Sequence, residues 1–300
     1  MKSIIPPVWF ESAKLSEYWR GDMTICIAAF CEWGRSLVLC TDHMLTVEDL
    51  SADDMVLKIR GIHSDWAVMY SPDDITHVKP ILQRVRLGIP DRKVPASLDE
   101  VRTKIERAYT EEFQGEQDKS FLAWYRMDVA EFKREGRNFF GESLFGQYCQ
   151  RLEQTTLKCE LLLAGFDEKR LGHLFTVTDP GKVMLFDDVG FWAIGSGQRN
   201  ALSSLFSCSF NIRKSLHEGI YHVCAAKFMS EGAQGVGNET AGLLCRRNDD
   251  YTKIEIKEIT QEFITEIRRI WNDEGKPRLP KSTVGIVDSA VRSGKTVFLG

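Results

Sequence analysis

Short apolar runs separated by short polar turns fill residues 24–70 of the chain. Residues 24–30 and 36–41 are rich in Ile, Val, Leu, Ala and Cys, and the polar segment 31–35 separates them. Runs of this length and composition predict a hairpin of two buried strands. Residues 56–62 and 66–70 repeat the pattern around turn-forming residues, so we expect four strands before any helix.

The apolar spacing then becomes helical. Between residues 75 and 85 apolar side chains recur every three or four positions, which predicts a first helix that closes near Gly88. Ser97, with Glu100 three residues later, is typical of a helix N-cap and starts a second helix. Residues 116–142 mix aromatic and charged side chains without a clean period, and we interpret them as an insertion.

The second half of the chain repeats this succession of strands and helices. The predicted elements are strands at 159–166 and 173–177, strands at 183–186 and 191–194, helices at 198–207 and 215–231, strands at 240–246 and 254–258, and a helix at 261–272. We expect the strands at 183–186 and 191–194 to extend the sheet of the preceding hairpin. Segregated runs of strands and helices indicate a layered α+β domain with antiparallel sheets.

Charge and cysteine content exclude several classes of protein. The 300 residues carry 39 Lys and Arg against 43 Asp and Glu, interspersed along the chain, so no basic face for nucleic acid is expected. The eight cysteines form no C-x-x-C pair and lie mostly in apolar runs. They are typical of reduced core residues in a cytosolic protein, without a zinc site or a disulfide framework. No cofactor is predicted.

The two ends of the chain differ from its centre. In residues 1–22 the one apolar run is broken by Pro6 and Pro7, so it is no signal-peptide core. We expect this segment to be a propeptide or sequence upstream of a start at Met23. No run reaches about 18 uncharged apolar residues, so a soluble, cytoplasmic protein is expected. The predicted domain spans 23–260, and 261–300 form a peripheral helix and polar tail.

Three segments resemble the β-subunits of proteasomes and their bacterial relatives. Residues 23–29 resemble the first strand of that family, and residues 37–42 resemble the second strand, which ends in an aspartate, here Asp42. Lys58 follows Asp42 by 16 residues, the separation between the corresponding Asp and the catalytic Lys in the family. Residues 191–197 resemble the family's strand and Gly-Ser-Gly turn.

The resemblance implies a fold and a chemistry. The fold is the N-terminal-nucleophile hydrolase sandwich, four αββα layers in which helices flank two antiparallel sheets. In such enzymes an N-terminal Thr hydroxyl attacks a carbonyl and the free α-amine of that residue is the general base. Thr24 would be the nucleophile after removal of the preceding residues. Lys58 would lower the proton affinity of the amine, and Asp42 would keep Lys58 charged.

The same resemblance implies further site residues and partners. The Ser196 hydroxyl would form a hydrogen bond near the α-amine of Thr24. Glu231 is the nearest candidate for the supporting acid that the family has after the fourth helix. A peptide or protein substrate and a homo-oligomeric assembly are implied, whereas the existence of an ATPase partner is left open.

Three features of the sequence depart from the family pattern. The family's oxyanion-binding Gly falls on Pro72 when counted without gaps from Lys58, and proline has no N–H. Glu231 and Gln234 lie nearest to the positions at which the family has a supporting Asp and Ser. The residues before Thr24 block its α-amine unless they are removed. Two functions therefore stay open. One is a threonine-type amide hydrolase, most simply a peptidase, and the other is a catalytically inactive subunit with an assembly or binding role.

Overall fold

Two antiparallel sheets form the centre of the computed structural model. It describes residues 24–47, 50–52, 58–63, 65–72, 75–89, 96–120, 122–250 and 252–276, and the single positions 283, 286 and 289. The strands are β1 (Cys26–Cys31), β2 (Ser36–Thr41), β3 (Leu45–Val47), β4 (Leu50–Ala52), β5 (Ile59–His63), β6 (Trp66–Pro72), β7 (Cys159–Phe166), β8 (Gly172–Thr178), β9 (Lys182–Leu185), β10 (Phe191–Ile194), β11 (Ala241–Arg247) and β12 (Ile254–Ile259). The α-helices are α1 (Val78–Gly88), α2 (Leu98–Ser120), α3 (Val129–Glu153), α4 (Gln198–Ser207), α5 (Leu216–Ser230) and α6 (Gln261–Ile270).

The strands form two five-stranded sheets and one short hairpin. The first sheet has the order β10-β1-β2-β11-β12, the second has the order β5-β6-β7-β8-β9, and β3 pairs with β4. Every β1 residue is buried, because successive side chains enter different cores. Cys26 and Ala28 join a core between the two sheets, whereas Ile27 and Ala29 pack towards α4 and α5. A third core lies between the second sheet and helices α1 and α2.

This arrangement confirms the predicted α+β sandwich with helices on both outer faces. The predicted hairpins at 24–41 and 159–177 are present as β1–β2 and β7–β8. Ser97 caps α2 by accepting a 3.1 Å hydrogen bond from the Glu100 N–H. The β3–β4 hairpin was not predicted, and positions 56 and 57 of a predicted strand lie outside the described residues.

One strand belongs to a different sheet from the one predicted. Strand β9 extends the second sheet, but β10 pairs with β1 in the first, with Cys26 opposite Ile194 and Ala29 opposite Phe191. A four-residue apolar run carries no information about which sheet it joins. Strand β2 occupies one side of β1 only, and β10 supplies hydrogen bonds on the other side. This pairing brings the turn after β10 to the start of β1.

Residues 116–142 are largely helical. Helix α2 continues to Ser120, a 3₁₀ helix spans Leu122–Tyr125, and α3 follows after Asp128, whose side chain accepts a 2.7 Å bond from the Glu131 N–H. Phe132 and Phe140 pack in a small cluster with Phe145 and Tyr148 of α3, whereas Trp124 and Phe139 are exposed. A non-helical backbone at Gly141 (φ 71°, ψ 163°) interrupts α3, so the side-chain pattern keeps no single phase.

The helix after β12 is part of the core. Ile264 of α6 and Trp271 in the following π-helical turn are 3% and 7% exposed and pack in the core beneath α5. The prediction of a peripheral helix was therefore wrong, because α6 is amphipathic and its apolar side packs into this core. The predicted extension 1–22 lies outside the described residues, and so does the tail after residue 276 except for positions 283, 286 and 289.

Candidate functional site

The predicted nucleophile, Thr24, precedes β1 and is 2% exposed. Its Oγ1 donates a 2.6 Å hydrogen bond to Oδ1 of Asp42. Nζ of Lys58 donates to the same Oγ1. The structure thus brings together the hydroxyl, the carboxylate and the ammonium group that the sequence predicted.

Strand pairing explains how Asp42 reaches this position. In the antiparallel β1–β2 pair Cys26 lies opposite Thr41, so the residue after β2 meets the residues before β1. Asp42 is fully buried, and each of its oxygens has partners. Oδ1 also accepts from the Ile25 N–H at 3.2 Å, and Oδ2 accepts from the Gly237 N–H at 3.1 Å. A buried carboxylate requires such bonds, so Asp42 is held in one orientation.

Lys58 reaches the site from the second sheet. It precedes β5, its side chain is 5% exposed, and its Nζ lies 2.9 Å from Oδ1 of Asp42. The ion pair offsets the cost of burying each charge. A cation that donates to Oγ1 stabilises negative charge on that oxygen, and it therefore assists attack by the Thr24 hydroxyl on an electrophile.

Ser196 contacts the other side of Thr24. Because β10 pairs with β1, the turn 195–197 lies beside Thr24, whose backbone N–H donates to Ser196 Oγ at 3.3 Å. The Gly197 N–H donates to the Thr24 carbonyl oxygen at 3.3 Å. The Ser196 hydroxyl has two acceptors within reach, the carbonyl oxygens of Gln234 at 3.0 Å and Thr24 at 3.3 Å.

Only glycine fits at position 195. Its φ of +96° lies in the left-handed region, which L side chains rarely adopt. A Cβ there would lie 2.8 Å from Cγ2 of Thr24 and closer still to the Thr24 carbonyl oxygen. The turn therefore packs directly against the predicted nucleophile.

The structure does not bring Glu231 to Thr24. The Glu231 carboxylate instead accepts a 2.6 Å bond from Lys227 Nζ and two bonds, at 2.6 and 2.7 Å, from Arg268 of α6. Lys227 also donates to the carbonyl oxygens of Gly237 at 2.8 Å and Asn238 at 2.9 Å. These bonds fix the loop that contains Gly237, whose N–H donates to Asp42. Glu231 therefore stabilises the site indirectly, through Lys227 and this loop.

Sequence reasoning missed Lys227, although a signal was present. Lys227 is fully buried near the end of α5, in a helix whose neighbouring residues are mostly apolar. A lysine at such a position needs a carboxylate partner, and Glu231 stands four residues later on the same helix face. Gln234 contributes only its backbone carbonyl, so no particular side chain is required there.

Pro72 ends β6, opposite Cys159 of β7. It has no N–H to offer an oxyanion, so position 72 provides no backbone donor.

The nearby thiol of Cys26 is a poor rival nucleophile. Burial raises the pKa of Cys26 to about 12, although the positive charge of Lys58 opposes that shift. The group is therefore a neutral thiol at physiological pH, and its Sγ lies 3.3 Å from Thr41 Oγ1.

No group of three or more His, Cys, Asp or Glu side chains in the described residues is placed to hold a metal ion. Across the same ranges, every helix is too short or too polar to cross a membrane.

Comparison with known proteins limits what the sequence resemblance can establish. No model of a known protein family matches the chain, and no curated protein matches it. Among solved structures, the chain is similar to Anbu (ancestral beta-subunit) from Yersinia bercovieri, with a TM-score of 0.58 and 15% identity over 86% of this chain and all of that one.

The likeness is one of fold alone. The chain has a proteasome-like fold. Its identification as a member of the proteasome β-subunit family, made from three sequence segments, is corrected by the lack of any family or curated match and by the low identity. Any activity must therefore be argued from the residues around Thr24.

Proposed function

We propose that this protein is a threonine-type amide hydrolase that uses Thr24 as an N-terminal nucleophile. The observation that carries the proposal is the meeting of Lys58 Nζ and Asp42 Oδ1 at Thr24 Oγ1. A buried ion pair that converges on one hydroxyl is an arrangement that activates a nucleophile. The proteasome-like fold supports the proposal without deciding it.

The reaction requires a free amine at Thr24. In the full chain its nitrogen is an amide, which is not a base at neutral pH. Removal of residues 1–23 converts that nitrogen into an α-amine, 3.3 Å from Ser196 Oγ. This amine takes the hydroxyl proton, directly or through a water, as Oγ1 bonds to the substrate carbonyl carbon.

The remaining steps reuse the same groups. The protonated amine gives its proton to the leaving nitrogen, the amide C–N bond breaks, and an ester on Thr24 remains. A water molecule, deprotonated by the amine, attacks that ester; the bond between the carbonyl carbon and Oγ1 then breaks as the protonated amine returns a proton to Oγ1, and the acid is released. Lys58 stabilises charge at Oγ1 throughout, and Asp42 keeps Lys58 charged and oriented.

We infer that the substrate is a peptide or protein. A homo-oligomeric state and a cytoplasmic location stay predictions, which light scattering and cell fractionation would test.

One observation favours the second candidate, a catalytically inactive subunit. Pro72 lacks the N–H that the predicted oxyanion site needs, and losing one such donor costs roughly 3 kcal/mol of transition-state stabilisation. The role would then be assembly or binding, with the buried ion pair serving only stability.

Three forms of the protein distinguish these candidates. A chain whose first residue is Thr24, the full chain and the first form with Thr24→Ala are assayed on a mixture of fluorogenic peptides. We expect hydrolysis by the first form only, because the others lack the free amine next to a hydroxyl. Thr24→Ser is the matched control, since it keeps hydroxyl and amine. Equal hydrolysis by the full chain would refute the mechanism, and inactivity of all forms would favour the second candidate.

A further inference from the structure

The loop 231–240, which follows α5, contacts the candidate site at two places. The Gly237 N–H donates to Asp42 Oδ2 at 3.1 Å. Ser196 Oγ donates to the Gln234 carbonyl oxygen at 3.0 Å. Asp42 and Ser196 are the residues that bond the hydroxyl and the backbone nitrogen of the predicted nucleophile. The conformation of this one loop therefore affects the partners of both reacting groups.

A buried ammonium group fixes the loop. Lys227 is fully buried in α5, and its Nζ donates to the carbonyl oxygens of Gly237 at 2.8 Å and Asn238 at 2.9 Å. The third bond, at 2.6 Å, goes to the Glu231 carboxylate. An ammonium group has three N–H donors, so each of them is used. Gly237 is thus held at its carbonyl oxygen by Lys227 and at its N–H by Asp42.

Helix α6 orients this ammonium group. Arg268 donates to the two Glu231 oxygens at 2.6 and 2.7 Å and to the Asn238 carbonyl oxygen at 2.8 Å. The planar guanidinium group binds the carboxylate through two parallel bonds and so fixes its direction towards Lys227. Because Arg268 also neutralises Glu231, removal of the Lys227 charge leaves no unpaired carboxylate in this cluster.

The bonds of Lys227 matter for conformation more than for stability. A buried ion pair gives little net stability over apolar residues of the same volume, because both charges lose their hydration. An apolar side chain at position 227 would match the rest of α5, whose buried residues are mostly apolar, but it would not bond the loop. What the lysine adds is a set of donors that hold two loop carbonyl oxygens in place.

We propose that Lys227 is a positioning residue for Thr24, which acts by holding the loop 231–240 against Asp42 and Ser196. The proposal rests on the proposed function, because Asp42 and Ser196 are the partners of the Thr24 hydroxyl and of its α-amine. Lys227 is fully buried, so it does not touch a substrate and acts through the loop.

The contact is tested first in the full chain, by hydrogen exchange of the Gly237 backbone amide. Lys227→Met removes the charge and keeps a long side chain, and we expect exchange to become about tenfold faster as the bond to Asp42 weakens. Lys214→Met is the matched control, because Lys214 forms a 2.9 Å ion pair with Glu218 at the start of the same helix. It should leave exchange at Gly237 unchanged.

The effect on the nucleophile is tested in the chain that begins at Thr24, from the rate at which a peptide epoxyketone labels it. In Lys227→Met we expect the maximal rate to fall about tenfold while the half-saturating concentration stays the same. A loss of stability alone leaves nearly every chain folded in the absence of denaturant, so it changes neither value. Lys214→Met should label like the unsubstituted chain.

Arg268→Gln tests the same device if Lys227→Met does not fold. The Arg268 side chain is 27% exposed, and its loss leaves the pair of Lys227 and Glu231 in place. We expect the same two changes in smaller measure, about threefold each, because the carboxylate that orients Lys227 loses its second cation.

The outcomes separate the two proposals. Unchanged exchange at Gly237 in Lys227→Met and Arg268→Gln would overturn the role of Lys227. If the unsubstituted chain labels and both variants label equally fast, that role is refuted and the proposed function stands. Equal slowing in Lys214→Met also overturns it, since any ion pair of α5 would then have the same effect. If the unsubstituted chain does not label at all, the proposed function is refuted and the role of Lys227 falls with it.

Discussion

The buried pair of Asp42 and Lys58 gives a prediction that can be worked through from the structure. Asp42→Asn preserves the shape of the side chain but removes its charge. The fully buried carboxylate accepts bonds from Thr24 Oγ1, Ile25 N, Lys58 Nζ and Gly237 N. An amide nitrogen in place of either oxygen would face at least one donor, and Lys58 would lose its countercharge.

The expected loss of stability is large. Removing one partner of a buried ion pair costs about 3–5 kcal/mol, because the other charge is left uncompensated. That is a sizeable part of the roughly 5–15 kcal/mol that stabilises a typical domain. Lys58→Met leaves Asp42 without its countercharge and should cost a similar amount. The double variant Asp42→Asn with Lys58→Met leaves no buried charge, so its loss should be about 2 kcal/mol or more below the sum of the single losses.

Urea unfolding of the full chain measures these differences. Trp66 and Trp271 are 2% and 7% exposed, so the total tryptophan fluorescence changes when the core is lost. The midpoint should shift while the dependence of the unfolding free energy on urea stays constant. If the losses of unfolding free energy in the two single variants sum to the loss in the double variant within about 0.5 kcal/mol, a direct coupling between Asp42 and Lys58 is refuted.

Two further predictions concern other parts of the fold. Gly195→Ala should prevent a peptide electrophile from labelling the Thr24 hydroxyl in a chain that begins at Thr24, because a Cβ at φ +96° would press on Thr24; normal labelling would contradict the described turn. Burial acts to lower the pKa of His173, but the 2.7 Å hydrogen bond with Asp187 and the negative charges of Asp187 and Asp167 outweigh it and raise that pKa. The stability that protonated His173 gains from these carboxylates is fully present below the unfolded pKa of about 6.5. It is lost as pH rises through the higher pKa of the folded protein. Urea midpoints at pH 5.5 and 8.5, compared with those of His173→Gln, should show a loss at high pH that the variant lacks; equal changes in both proteins would contradict it.

The parts of the site that the sequence could predict depend on strand ends. Thr24 precedes one strand and Asp42 follows its hairpin partner, so antiparallel pairing alone brings them together. Lys58 and Ser196 were found by resemblance, and the structure places both against Thr24. Those contacts depend on the packing of two sheets, which apolar periodicity along the chain does not specify.

The predictions that failed have a common physical reason. The sheet assignment of β10, the packing of α6 and the partners of Glu231 are all contacts between residues distant in sequence. A short apolar run or an amphipathic helix indicates that one face is buried, but it does not indicate which element covers that face.

Mass spectrometry of a labelled chain tests the central claim most directly. A chain that begins at Thr24 is treated with a peptide epoxyketone, whose ketone can bond the hydroxyl oxygen and whose epoxide can bond an adjacent amine. The account predicts one label per chain, on the first residue and joined through both atoms, with none on the full chain or on Thr24→Ala. Absence of label on the chain beginning at Thr24, or equal labelling of Thr24→Ala, would contradict the assignment of Thr24 as an N-terminal nucleophile.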